Sequence, residues 1–99
     1  MNATLTVVSR NETVVQYVGD FAKGLGCGVA AGTEPGARVI RIQLADTGDL
    51  LVELLDYVAL AAIRAGVDID EPLCRLRYRR EGSVQVTLSL RCVELGLDQ

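Results

Sequence analysis

Apolar and polar positions alternate most regularly near the C-terminal end of the chain. Cys74, Leu76 and Tyr78 take turns with Arg75, Arg77 and Arg79; further on, Val84, Val86, Leu88, Leu90 and Cys92 take turns with Ser83, Gln85, Thr87, Ser89 and Arg91. A period of two sends successive side chains to opposite sides of a strand, so both segments read as half-buried strands. Arg80-Glu81-Gly82-Ser83 between them has turn composition, and Gly82 is free to adopt positive φ, which predicts a hairpin.

Two helices are predicted upstream. "ATLTVVS" is short and β-branched, as a strand should be. Val14, Val18, Phe21 and Leu25 then recur at helical spacing, with Val15 and Ala22 beside them. Ser9 with Glu12 has the spacing of a capping box, and Asn11 is a rival cap. Gly24 and Gly26 stop this helix. "ARVIRIQLA" predicts a strand with Arg38, Ile40, Ile42 and Leu44 on one face and Val39, Arg41 and Gln43 on the other. Asp46 or Thr47 caps the second helix, and Asp49 in its first turn suits the helix dipole. Leu50, Leu51, Leu54, Leu55, Val58, Ala61 and Ala62 form its broad apolar face, opposite Asp49, Glu53 and Asp56; Gly66 ends it.

The segment "GCGVAAGTEPG" has no such period. It reads mainly as a loop closed by Pro35-Gly36, and a short strand at Val29–Ala31 stays open. Gly26, Gly28 and Ala31 match the spacing of a dinucleotide fingerprint, but they follow a helix instead of a strand and no helix begins after them. The predicted order is β-α-β-α-β-β. That is an α/β protein of the α+β two-layer kind, one domain over residues 1–99, with an ordered core at about 3–93 and a frayed tail at 94–99.

Composition sharpens this picture only in places. With 99 residues and 49% apolar side chains, the chain fits one packed core. Cys27, Cys74 and Cys92 follow no CxxC spacing, and there is no histidine, which argues against a structural zinc site; they read as small buried hydrophobes in a reducing compartment. The N-terminus lacks the basic start and apolar run of a signal peptide, and "LLVELLDYVALAAI" is interrupted by acids, so the expectation is a cytoplasmic protein with no membrane contact.

Charge distribution matters more. The net charge is −3. Residues 46–71 hold seven acids against one base, a local net of −6, whereas residues 72–91 hold five arginines against Glu81, a local net of +4. Like charges two residues apart on a strand repel, so something must offset them. Solvent and acids such as Asp68, Asp70 and Glu71 are one answer; a bound phosphate, which suits the guanidinium fork, is the other. Catalysis has little support. The commonest general base is missing, Ser9, Ser83 and Ser89 have no base at recognisable spacing, and Asp49, Glu53 and Asp56 read as the wet side of a helix. The expectation is a protein that is not an enzyme and has no cofactor and no metal.

In this order the chain resembles the Alba superfamily of small chromatin and RNA-binding proteins. "TVVQYV" (13–18) is similar to that family's first-helix segment, "ARVIRIQLA" to its second strand, and "REGSVQVTLSLR" to its last hairpin. The sporulation-protein branch of the superfamily and the C-terminal domain of a translation initiation factor share the order; sulfur carriers of that shape place a reactive cysteine near the first helix start, where this chain has none. The resemblance implies nucleic-acid contacts at the first turn, the start of the second helix and the final hairpin. Arg10 stands at the first turn beside Asn11 and Glu12, where the family has lysines; Asp46 and Asp49 make the second-helix start acidic where the family is basic; the hairpin keeps its charge. The expected nucleic-acid-binding residues are therefore Arg10, Arg41, Arg75, Arg77, Arg79, Arg80 and Arg91, meeting the phosphates of DNA or RNA in a homodimer. The rival expectation is an interaction module of the same fold whose basic hairpin docks on an acidic protein or on the acidic helix of its own copy.

Overall fold

The computed structural model describes residues 2–45, 48–65 and 74–89. In chain order the elements are β1 (Asn2–Ser9), α1 (Glu12–Gly24), β2 (Gly28–Glu34), β3 (Ala37–Ala45), α2 (Gly48–Arg64), β4 (Cys74–Arg80) and β5 (Val86–Ser89). The strands form one sheet in the order β2-β3-β1-β4-β5, antiparallel throughout. The architecture is α+β in two layers.

The segment read mainly as a loop holds a seven-residue strand. Gly28, Ala30, Ala31 and Gly32 have low strand propensity and no period-two pattern, so local sequence leaves open no more than the short strand at Val29–Ala31. Tertiary pairing supplies what propensity does not. Pro35-Gly36 makes a two-residue connection with Gly36 at φ 75°, and β2 then pairs along β3 from Glu34↔Ala37 to Gly28↔Gln43. This strand changes the topology. With only a helix between them, β1 and β3 as neighbours would have to run parallel; the β2 reversal makes them antiparallel. β3 sits between β1 and β2, and β1 between β3 and β4, which is the split β-α-β arrangement taken twice, with β5 added outside β4.

The N-cap of α1 is Asn11, whose Oδ1 accepts from the amides of Thr13 and Val14 at 2.9 and 3.2 Å. The Ser9 capping box does not form. Ser9 is still in β1, fully buried, and its hydroxyl oxygen accepts from the Asn11 amide at 3.0 Å. The helix ends as its glycines predict. Gly26 is left-handed at φ 84°, its amide donates to Lys23 O, and the Cys27 amide donates to Ala22 O, a Schellman closure. The N-cap candidates of α2, Asp46 and Thr47, lie outside the described residues, as do Gly66 and the tail.

Both helices share one core with the sheet. Ala3, Leu5 and Val7 of β1, Ile40, Ile42 and Leu44 of β3, and Leu76 of β4 meet Val14, Val15, Val18 and Ala22 of α1 and Leu54, Leu55, Val58, Ala61 and Ala62 of α2. Leu5, Ile42, Leu54 and Leu76 are fully buried, each contributing about 1.5–3 kcal/mol of hydrophobic stabilisation. Phe21 and Tyr57 stack at 4.0 Å between the helices. α1 approaches the sheet at Gly19, where a Cβ would collide with Ile40 Cδ1. The broad face of α2 is absorbed into this core, and its exposed apolar side chains are Val52, Leu60 and Ile63 instead.

Candidate anion-binding face

The sheet's other face, opposite the helices, follows from the same alternation. Pairing places side chains in rows across it. Gly28, Gln43, Thr4 and Arg79 form one row; Ala30, Arg41, Thr6, Arg77 and Thr87 form the next. In the third, Gly32, Val39 and Val8 precede the Arg75 and Ser89 backbone positions. Thr6 is nearly buried, flanked by Arg41 on β3 and Arg77 on β4.

Arg77 does not stand free on this face. Its Nη2 donates to both carboxylate oxygens of Glu34, at 2.8 Å each. Glu34 is at the far end of β2, three strand spacings across and four residues along from the Arg77 row, a distance of about 20 Å on a flat sheet. The contact needs a twisted, curled sheet that brings the β2 corner over the face. The line from Arg77 to Glu34 crosses the middle of the third row, over Val39 and Val8. These two valines are 1% and 5% exposed although no helix of the described residues packs on their side of the sheet. Arg41 leans the same way. Its Nη1 lies 3.2 Å from where a Gly32 Cβ would stand, so the glycine leaves room for the guanidinium against β2.

Arg79 sits one row from Arg77 and is exposed; its Nε donates to Ser83 O at 3.3 Å across the hairpin turn. That turn closes as expected, with the Ser83 amide donating to Arg80 O at 2.9 Å and Gly82 at φ 81°. The strands re-pair only at Tyr78↔Val86, so residues 81–85 project as an exposed loop. An open cleft of about 330 Å³ continues the face past Thr4, Gln43 and Arg79 to Glu81 and Gly82.

The expected site residues thus divide. Arg41, Arg77 and Arg79 come together on the helix-free face. The Arg75 backbone falls in the same alternation, next to Val8. Arg80 falls on the opposite side of β4, and Arg91 lies outside the described residues. Arg10 follows the other end of β1, roughly 23 Å from the hairpin turn by strand length. It joins Arg38 and Thr33 around a cleft beside the β2–β3 turn that is also lined by Glu34, the partner of Arg77, and Arg38 there pairs with Glu12 at 3.6 Å. The hairpin is no free arm: β4 is held between β1 and β5.

Glu34 and the β1 threonines Thr4 and Thr6 were not among the expected site residues. Glu34 was hidden in the unpatterned segment, whereas the threonines were legible as the polar alternates of Leu5 and Val7. The counter-acids expected from sequence, Asp68, Asp70 and Glu71, lie outside the described residues. Asp49, Glu53 and Asp56 stand exposed on α2, and among the described residues no three metal-ligating side chains gather. Cys27, just past the α1 closure, is half-buried against the core, and burial pushes its thiol above the ordinary 9.0.

No protein-family model matches the chain, and no curated protein matches it.

Proposed function

We propose that the protein is a small non-enzymatic nucleic-acid-binding domain that meets the phosphates of DNA or RNA on the helix-free face of its sheet. The observation that carries this reading is the gathering of Arg41, Arg77 and Arg79 on that face, from two strands that are not neighbours, with Thr4, Thr6 and Gln43 as neutral hydrogen-bonding groups between them. Guanidinium groups are suited to phosphate, and a surface without base-reading aromatics favours backbone contact over sequence readout. Tyr78 packs against the core, so it offers no stacking platform on this face. The Alba-like resemblance, a cytoplasmic location and a homodimer belong to the same proposal. The exposed Val52, Leu60 and Ile63 of α2 supply the apolar surface through which two copies would pair.

A second reading has its own support. Arg77 already holds an acid of its own chain, and α2 presents Asp49, Glu53 and Asp56 to solvent, so the basic face also fits an acidic protein surface, including that of a second copy.

Titrating the protein into labelled duplex DNA and duplex RNA at low and near-physiological salt separates the two. The nucleic-acid reading expects binding that salt weakens and that Arg41→Ala with Arg79→Ala reduces, the salt slope on duplex DNA falling by about 0.9 for each phosphate no longer neutralised. Salt-sensitive self-association with no affinity for either duplex supports the second reading.

A further inference from the structure

The middle row of the sheet face holds two guanidinium groups and reaches toward one carboxylate. Arg41 rests its Nη1 against Gly32, while Arg77 reaches Glu34, two residues along on the same side of the same strand. Both cations lie toward β2, one beside Gly32 and the other on Glu34. The contact itself is an incomplete match: both oxygens of Glu34 take protons from a single nitrogen, Nη2. A carboxylate or phosphate bound most strongly by arginine uses two parallel N–H donors on different nitrogens of the fork. Glu34 is therefore a weaker occupant than the fork can hold. It is also tethered only through a β2 edge strand beside the Pro35-Gly36 turn.

We propose that Arg41 and Arg77 share one phosphate site at the centre of the face, that Glu34 fills it from within the chain, and that a nucleic-acid phosphate enters by displacing Glu34. This deepens the nucleic-acid reading above and rests on it. Displacement exchanges one carboxylate for one phosphodiester on Arg77 and turns the Glu34 side chain out to solvent. The ligand class is the phosphodiester backbone; DNA and RNA share that chemistry, and the experiment distinguishes them. As long as Glu34 holds Arg77, the face has one fewer cation to offer, so weak or isolated anions are excluded and a polyanion with several phosphates is favoured.

The test compares wild type with Glu34→Gln on labelled duplex DNA, duplex RNA and single-stranded DNA across a salt series. E34Q is expected to bind its preferred strand about tenfold more tightly at low salt, as befits one charge-assisted pair that no longer has to be broken on binding. On duplex DNA its log–log salt slope should match that of wild type, because both complexes neutralise the same phosphates once Glu34 has been displaced; a slope steeper by about 0.9 would mean that Glu34 keeps Arg77 from the phosphate in wild type and would overturn the displacement. Adding Arg41→Ala to E34Q should remove the gain; a gain that survives overturns the shared site. Binding by wild type with E34Q equal in affinity overturns the displacement and leaves the nucleic-acid reading standing. No binding by either protein overturns both, whereas binding by E34Q alone supports both. Should E34Q fail to fold by circular dichroism, the wild-type protein is titrated with tripolyphosphate and the arginine Nε–H signals are followed by NMR. The Arg41 and Arg77 signals should move together and saturate; an Arg77 signal that stays still at saturation overturns the proposal.

Discussion

Arg77 on β4 and Glu34 on β2, 43 residues apart in sequence, meet at 2.8 Å across the two strands that separate them. The pair is about one-third exposed, 28% and 34% for the two side chains. Between the two residues along the sheet stands the Val8–Val39 pair, on the face against which no helix of the described residues packs. A fully exposed ion pair contributes little, but this one is about two-thirds buried and ties together two strands that are not neighbours.

Arg77→Ala is therefore expected to cost about 1 kcal/mol, lowering the melting temperature by about 4–8 °C for a domain of this size. In a cycle with Glu34→Gln the two changes should couple by about 0.5 kcal/mol or more. Additive effects in thermal unfolding would reject the clasp as a stabilising contact.

Gly19 lies in the middle of α1, where alanine normally improves helix stability by about 1 kcal/mol. Here the added Cβ collides with Ile40 Cδ1, the tip of a side chain that is itself 5% exposed and confined by the core. Overpacking should win, and Gly19→Ala is expected to destabilise by about 1–3 kcal/mol. The cycle partner is Ile40→Val, which deletes Cδ1. Alone it should cost about 0.5–1.5 kcal/mol; in the Gly19→Ala background it should be neutral or stabilising. Chemical denaturation of the four proteins decides this, and a loss from Ile40→Val that is the same in both backgrounds sinks the collision argument.

The parts legible in the sequence are those where one residue's side decides its fate. Leu76 and Tyr78 against Arg77 and Arg79 alternate because one side meets the core, and the structure keeps that division. Gly26, Gly36 and Gly82 all adopt positive φ at turns, and two of those turns were readable from Gly26 after the helix and Gly82 in the hairpin. β2 was not legible. Gly28, Ala30 and Gly32 carry no apolar signal because their side of the strand is the one away from the core, where Gly28 and Ala30 are exposed and Arg41 lies against Gly32. Without β2, the antiparallel pairing of β1 with β3 and the partner of Arg77 were both out of reach. The arginine face was half legible: Arg41 and Arg77 each have the right parity, but their approach across β1 depends on strand order, which local patterns do not encode.

Asn11 and Ser9 offer a sharper check on the helix start. Asn11 Oδ1 satisfies two orphan amides of α1, so Asn11→Ala should cost about 1 kcal/mol while Asn11→Asp keeps the cap and adds a favourable charge at the helix N-terminus. Ser9 is buried, and its hydroxyl is the acceptor for the Asn11 amide. Ser9→Ala leaves that amide without its partner and should cost about 1–3 kcal/mol without changing Glu12 in any way. If Glu12→Ala proved as damaging as Asn11→Ala in thermal unfolding, the capping box would have to be restored.

Cys27 gives the pH dependence. Desolvation raises its thiol above 9.0, so the folded state favours the neutral form. The unfolded chain loses this proton at the ordinary value, while the folded chain holds it to higher pH. The resulting contribution to stability is fully present below pH 9, and it is lost as pH rises through the folded value. Reactivity follows the same sign, because the thiolate is the nucleophile. Iodoacetamide labelling of the native protein, read by mass spectrometry on the peptide carrying Cys27, should be slow at pH 7.4 relative to the same peptide in denaturant. It should still be climbing above pH 9, where labelling of the denatured peptide has begun to level off. A native labelling rate at Cys27 that levels off below pH 9 would contradict the burial of this thiol.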